Sequence, residues 1–327
     1  MTFSCRLPVL ITSQFNDGVT MAGGFVTFPA AVYQSDPNGG IISTPTGDFA
    51  TNAQPTLHGS PQTGSPFYDL APRRWLPVAP GQTSDDGSTY VYAEGGASTT
   101  DPTALHVVTV ATGVDRVVMV TPPPEGAAVG WQIGDFDGRY AYLLGDQFER
   151  YPAGVWRVDT TTGALTQITS AGSILLLKGS DLWVGAVNPA DPSPPLPPRS
   201  GQEFDSIVHI DLGTGTQTTW IYRPGQSIAV RGVDVTGHPV VNVASGPDFD
   251  TSLGAVYLLT NPGAPGTQIL SGGLRFLQMQ PDVGRIWFGN DRGVYVWTLA
   301  SGLQKVFVVP PNTQALSQTI YPAGHCV

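Results

Sequence analysis

The sequence predicts an all-β fold, and three observations carry that expectation. No long stripe of apolar residues recurs at i, i+3, i+4 and i+7, so amphipathic helices are missing. Short β-branched and aromatic runs recur instead, separated by turns of Gly, Pro, Asp and Asn. These runs follow one another in a fixed cycle of four, at the spacing of about 40–50 residues that marks a repeat architecture.

The cycle can be followed along the chain. One run appears as TYVYAEG (Thr89–Gly95), RYAYLLG (Arg139–Gly145), DLWVGAV (Asp181–Val187), PVVNVASG (Pro239–Gly246) and RIWFGN (Arg285–Asn290). A second run follows each: LHVVTVATG, VWRVDTTTG, IVHIDLGTG, AVYLLTNPG and VYVWTLASG. After a Gly-containing turn comes a third: DRVVMV, ALTQIT, TQTTWIYR, GTQIL and LQKVFVV. A more apolar run precedes the units, as in SILLLKG, SIAVRGVDV and LRFLQMQ.

Four antiparallel strands joined by hairpins make one blade of a β-propeller. One such sheet cannot bury both faces alone, whereas a ring of them can. Five units follow residue 80, and a sixth, irregular unit lies upstream, with GGFVTFPAAVYQSD and PFYDLAPRRWLPV as its strands. The expectation is one six-bladed domain over residues 1–327. Its blades fall at about 1–79 plus 312–327, 80–121, 122–169, 170–223, 224–271 and 272–311. The C-terminal QTIYPAGHCV is expected to pair beside CRLPVLI, so that both chain ends share the first blade, close the ring and leave no open sheet edge.

Units such as DGRYAYLL…GVWRVDTTTGALTQIT resemble the six-bladed propellers of the TolB-like and gluconolactonase-like superfamily, over nearly the whole chain. The motifs are structural, and fold does not fix function. The gluconolactonase-like resemblance implies a divalent metal held centrally by Glu, Asn and Asp. The expected inner strands here, VGWQIG, SILLLKG, SIAVRGVDV and LRFLQMQ, are poor in acids and depart from that pattern.

Charge excludes some functions. The net charge is -10 and no basic stripe exists, so the footprint of nucleic-acid binding is missing. An anionic membrane surface would repel the chain for the same reason. No apolar run reaches the roughly 18 residues of a spanning helix. MTFSCRLPVL lacks the charged n-region and long apolar h-region of a signal peptide. Cys5 and Cys326, the only two cysteines, stand at opposite ends of the chain. A closed circular fold brings them together, which predicts a disulfide and a secreted or cell-envelope location.

The blade cycle assigns each connection to a side. Connections between first and second strands, and between third and fourth, are short: DDG, FDG, TTTG, GTG, ASG. Those between second and third strands are mostly long. They are read as the stretch from Asp36 to Pro66 in the first unit, then GGASTTDPTA, GDQFERYPAG, NPADPSPPLPPRSGQEFDS, SGPDFDTSLG and the short NDRG. The proline-rich one is flanked by strands of a single blade. It is therefore a loop, stiffened towards polyproline II, and not a domain linker.

Long loops on a rigid scaffold are the usual home of binding residues. The candidates on this side are Asp146, Phe148, Glu149, Tyr151, Glu203, Phe204, Asp205, Asp248, Phe249, Asp250, Asn290, Asp291 and Arg292. An acidic, aromatic rim suits a cation, a sugar-like ligand or a cationic partner. Taken singly, each acid also reads as a solvated loop residue whose neighbouring aromatic packs onto its own blade. Asp146, Glu203, Asp248, Asn290 and Asp291 come nearest to a Ca²⁺ ligand set of mixed oxygens. Lys178 and Arg231 fall in otherwise apolar inner strands and are candidates for a central channel.

No catalytic motif appears. GxSxG, HExxH, EF-hand and P-loop patterns are absent. His106 and His209 are read as occupying the same place in their strands, which favours a structural role. The expected function is a module binding a protein, carbohydrate or small molecule. A Ca²⁺-dependent lactonase-like hydrolase or lyase and a structural subunit of an extracellular assembly stand as alternatives.

Overall fold

The computed structural model describes residues 3–16, 18–43, 49–51, 54–59, 66–95, 103–120, 131–145, 155–169, 173–186, 204–245, 254–271, 278–309 and 311–327. β1 (Cys5–Phe15), β2 (Gly18–Phe28) and β3 (Val32–Ser43) form consecutive hairpins, continued by β4 (Phe49–Thr51) and β5 (Gln54–Gly59). β6 (Phe67–Asp69) and β7 (Arg74–Leu76) pair only with each other. A 3-10 turn at Pro80–Gln82 leads to β8 (Thr89–Gly95), β9 (Thr103–Thr109) and β10 (Asp115–Val120).

Four four-stranded sheets follow. They are β11 (Trp131–Phe136), β12 (Tyr140–Gly145), β13 (Val155–Asp159) and β14 (Leu165–Thr169); then β15 (Ser173–Lys178), β16 (Asp181–Ala186), β17 (Ser206–Asp211) and β18 (Gln217–Tyr222). Next come β19 (Gln226–Val233), β20 (Pro239–Ser245), β21 (Ala255–Leu258) and β22 (Thr267–Leu270), then β23 (Gln278–Asp282), β24 (Arg285–Asn290), β25 (Gly293–Thr298) and β26 (Gly302–Phe307). β27 (Ser317–Pro322) returns to pair antiparallel with β1, from Val9–Pro322 to Gln14–Ser317. The chain is a six-bladed β-propeller whose first blade joins the two chain ends. In the second blade Thr83 takes the inner position by a bridge to Tyr90, and Ser84 N donates to Thr89 O at 2.9 Å.

The first unit corrects one expectation. Its long stretch from Asp36 is not a connection between second and third strands. β1 and β2 are each 11 residues long and pair from Cys5–Phe28 to Phe15–Gly18, which leaves two residues between them. The stretch instead continues β3, and its described part adds β4 and β5 outside that strand.

Bulges recur where sequence reading could not place them. In blades 3, 4 and 5 the inner strand carries one extra residue against its partner: Gly134, Leu175 and Arg231. The outer strand of blades 3 to 6 does the same at Ile168, Trp220, Ile269 and Val306. The pairing of the two middle strands is unbroken in each. A bulge raises local twist and re-aims the side chain it carries.

Two compact units make up the chain: residues 1–94, 105–117 and 276–327, and residues 95–104 with 118–275. The first has a core of Leu7, Val9, Val26, Phe28, Trp287, Val294 and Ile320. The Cys5–Cys326 disulfide lies beside it, with Cα atoms 5.6 Å apart. Arg6 and Val327 exchange backbone hydrogen bonds of 2.8 and 3.0 Å at the same place. Closing a loop of 321 residues is worth about 5 kcal/mol in the chain-entropy account.

The second unit packs blade against blade. Trp183, Ile207 and Ile221 of blade 4 meet Ile228, Val230, Val241 and Leu259 of blade 5. The outer strand of blade 4 is bonded from the next blade: Gly263 N, in a turn of blade 5, donates to Trp220 O at 2.8 Å. Tight turns hold the other ends. Asp159 Oδ1 accepts from Thr161 N at 2.8 Å, and Asp211 Oδ1 from Gly213 N at 2.7 Å and Thr214 N at 3.1 Å. Gly163 and Gly215 supply the left-handed residue of these turns, at φ 76° and 74°.

Candidate functional site

In blades 3 and 4 the two kinds of connection differ in length, whereas in blade 5 the third-to-fourth connection, 259–266, nearly equals the second-to-third one. First-to-second and third-to-fourth connections are hairpins such as Gly179–Ser180 and Leu212–Thr216. The second-to-third connections span 146–154, 187–205 and 246–254. Antiparallel order sends all three to one side of these sheets. Asp146, Phe148, Glu149, Tyr151, Glu203, Asp248, Phe249 and Asp250 lie outside the described residues.

The described ends of these loops are firmly held. Phe204 is buried with its ring against Gly185, where a Cβ would collide with it. Phe204 O accepts from Ile228 N and Asp205 O from Arg223 N, both at 2.7 Å. Ser206 Oγ donates to Ala186 O at 2.8 Å, joining the two feet of the loop. Phe204 thus packs onto its own blade, and Asp205 is fully buried at 0% exposure. These two residues anchor the loop and stitch blade 4 to blade 5, whereas the sequence reading placed them on the rim.

Blade 6 ends its second strand differently. Asn290 is buried, and its Oδ1 accepts from Arg292 N at 2.8 Å, which closes the Asn290–Gly293 turn. Asp291 and Arg292 are exposed at its tip. Lys178 is exposed at the end of β15, opposite Asp181, and Arg231 is the exposed bulge residue of β19. Among the described residues, no three His, Cys, Asp or Glu side chains gather so as to hold a metal ion.

The histidines are not equivalent. Val110 N donates to Ser88 O, and Leu212 N to Ser180 O, at 2.9 and 2.8 Å, which fixes corresponding points in blades 2 and 4. His106 lies one position further from that point than His209. A one-residue offset in a strand puts the two rings on opposite faces. His106 stacks on Tyr92 at 4.4 Å, with its Nδ1 2.7 Å from Asp115 Oδ2 and its Nε2 3.5 Å from Glu94 Oε2. His209 lies over Trp183 at 4.6 Å, with its Nε2 2.7 Å from Asp181 Oδ1.

Sequence reading also missed Asp135. This inner-strand acid is buried, and its Oδ2 accepts from Gly179 N of the next blade at 2.7 Å. Its only signal was an acid just before the FDG turn. Burial pushes the Tyr90 phenol well above its ordinary range, and its hydroxyl donates to His58 O at 2.6 Å.

No protein-family model and no curated protein matches this sequence. Solved structures do. TolB from Acinetobacter baumannii is 12% identical over 98% of this chain, with a TM-score of 0.45. A structure from a study of two prolyl endopeptidases is 13% identical over 94%, with a TM-score of 0.49. The calcium-binding protein regucalcin from Agrobacterium tumefaciens is 14% identical over 67%, with a TM-score of 0.39. The chain spans 65%, 51% and 74% of those three proteins. These likenesses stop at the fold.

Proposed function

We propose that this chain is an extracytoplasmic binding module whose recognition surface is formed by the connections between second and third strands of blades 3 to 5. The observation that carries the reading is the asymmetry of those blades. The connections on one side span two to eight residues, and those of 146–154, 187–205 and 246–254, the second of them 19 residues long, leave from the other. Anchoring of the longest at Phe204, Asp205 and Ser206 gives it firm feet. Asp146, Phe148, Glu149, Tyr151, Glu203, Asp248, Phe249 and Asp250 are the residues offered to the ligand, with Asp291 and Arg292 at the blade 6 tip. The Cys5–Cys326 disulfide supports an oxidising compartment.

A thermal-shift screen of the whole chain with CaCl₂ and basic peptides tests this reading. A ligand of the native state alone raises the melting temperature by mass action. At least one probe class is expected to do so, and the shift is expected to vanish when residues 189–202 are replaced by Gly-Ser. No shift with any class, or an equal shift in the shortened variant, overturns it.

A further inference from the structure

The junction of blades 4 and 5 holds a second, unassigned cluster, on the hairpin side and away from the long loops. Trp220 is the bulged residue of β18 and is half-buried. At the corresponding bulge, blades 3, 5 and 6 place Ile168, Ile269 and Val306. An aliphatic residue therefore meets the packing need at this position in the other blades, and the indole of blade 4 exceeds it.

Two imidazoles flank that indole, each with its ring centroid 6.3 Å away. His209 comes from the third strand of blade 4 and is held by Asp181 at 2.7 Å. His238 comes from the first hairpin of blade 5, with its Nδ1 2.7 Å from Thr236 Oγ1 and 3.5 Å from Asp234 Oδ2. Trp183 packs edge-on against Trp220 at 4.9 Å and fixes its tilt from below. Trp220 O accepts from Gly263 N, which fixes its main chain. The Asp181 side chain is 46% exposed and those of His209 and His238 are 20% and 34% exposed, so polar edges border the indole on the solvent side.

We propose that this cluster is a carbohydrate subsite, with Trp220 as the platform for one neutral sugar ring. An aromatic ring with a few oriented polar groups is the chemistry that fits a ligand with one apolar face and hydroxyls at its edge. Each carboxylate here lies beside an imidazole, so both edges of the indole offer donors and acceptors to a ligand's hydroxyls. His209 and Asp181 meet hydroxyls on one edge, and His238 meets them on the other.

Titration of the whole chain with neutral gluco-, manno-, galacto- and N-acetylglucosamine oligosaccharides, followed by tryptophan fluorescence, tests the subsite. At least one sugar series is expected to bind. Trp220→Ile, which installs the residue of the sister blades, is expected to weaken that binding about tenfold or more. His209→Gln is expected to weaken it less, and replacing residues 189–202 by Gly-Ser is expected to leave it unchanged. That last result separates this site from the loop surface proposed above. Saturation-transfer NMR on the unaltered chain provides a reading independent of any variant's folding, with transfer strongest at the sugar ring C–H protons. No binding by any series, equal binding by Trp220→Ile, or no transfer to ring protons overturns the proposal.

Discussion

Trp183 and Trp287 hold the same position, the third residue of the second strand, in blades 4 and 6. Their surroundings differ. Trp287 is fully buried, stacks on Phe28 at 5.4 Å and meets Phe3 edge-on at 5.4 Å. Its Nε1 donates to Asp282 Oδ2 at 3.3 Å, and Arg285 lies over its ring while pairing with the same carboxylate. Trp183 is equally buried, at 1% exposure, but its Nε1 has no acceptor among the described residues. Its ring neighbours are the partly buried His209 and Trp220. One framework thus yields a self-satisfied junction beside the disulfide and a second junction left chemically incomplete. A buried N–H without an acceptor costs about 1–3 kcal/mol. The difference teaches that packing sets the shared position, whereas the polar groups around it differ from blade to blade.

The largest expected effect comes from the satisfied junction. Replacing both Cys5 and Cys326 by Ser is expected to lower unfolding stability by about 5 kcal/mol on the loop-entropy account, read from urea unfolding. Little change would show that the blade 6 side needs no staple. Next, Trp287→Ala and Trp183→Ala are each expected to cost about 3–5 kcal/mol through the cavity left behind. Gly185→Ala follows at about 1–3 kcal/mol, because the added methyl displaces the Phe204 ring.

The smallest effect concerns pH. Backbone N–H groups, Thr161 for Asp159 and Thr214 for Asp211, hold both carboxyls below the usual carboxylate range. Such groups add stability above the ordinary carboxylate pKa and lose it as pH falls through the depressed value. The stability gap between the native chain and Asp211→Ala is therefore expected near neutral pH and expected to close on acidification. A gap independent of pH would show that the charge of this turn is irrelevant.

Much of the fold was legible because each blade repeats one cycle of apolar runs and Gly turns. The first blade was not, because β1 and β2 are long and the NDG between their apolar runs resembles any polar break in the sequence. The offset between the histidines stands in the runs themselves, since His106 lies seven residues before Gly113 and His209 six before Gly215, and one residue flips the face. The bulges at Trp220 and Arg231 are pairing properties and leave no trace in composition. On the site side, Phe204 carried a visible signal in QEFD, but its destination was Gly185, a residue in another strand. Trp220 looked like any strand aromatic until the sister bulges showed aliphatic residues in its place.

Comparing Trp183→Phe with Trp287→Phe by urea unfolding tests the contrast between the junctions most directly. Both changes trim the ring alike, but only Trp287 loses a hydrogen bond, to Asp282, while Trp183→Phe removes an unsatisfied N–H. The account predicts that Trp287→Phe costs at least about 1 kcal/mol more than Trp183→Phe. Equal costs, or a larger cost at Trp183, would contradict it.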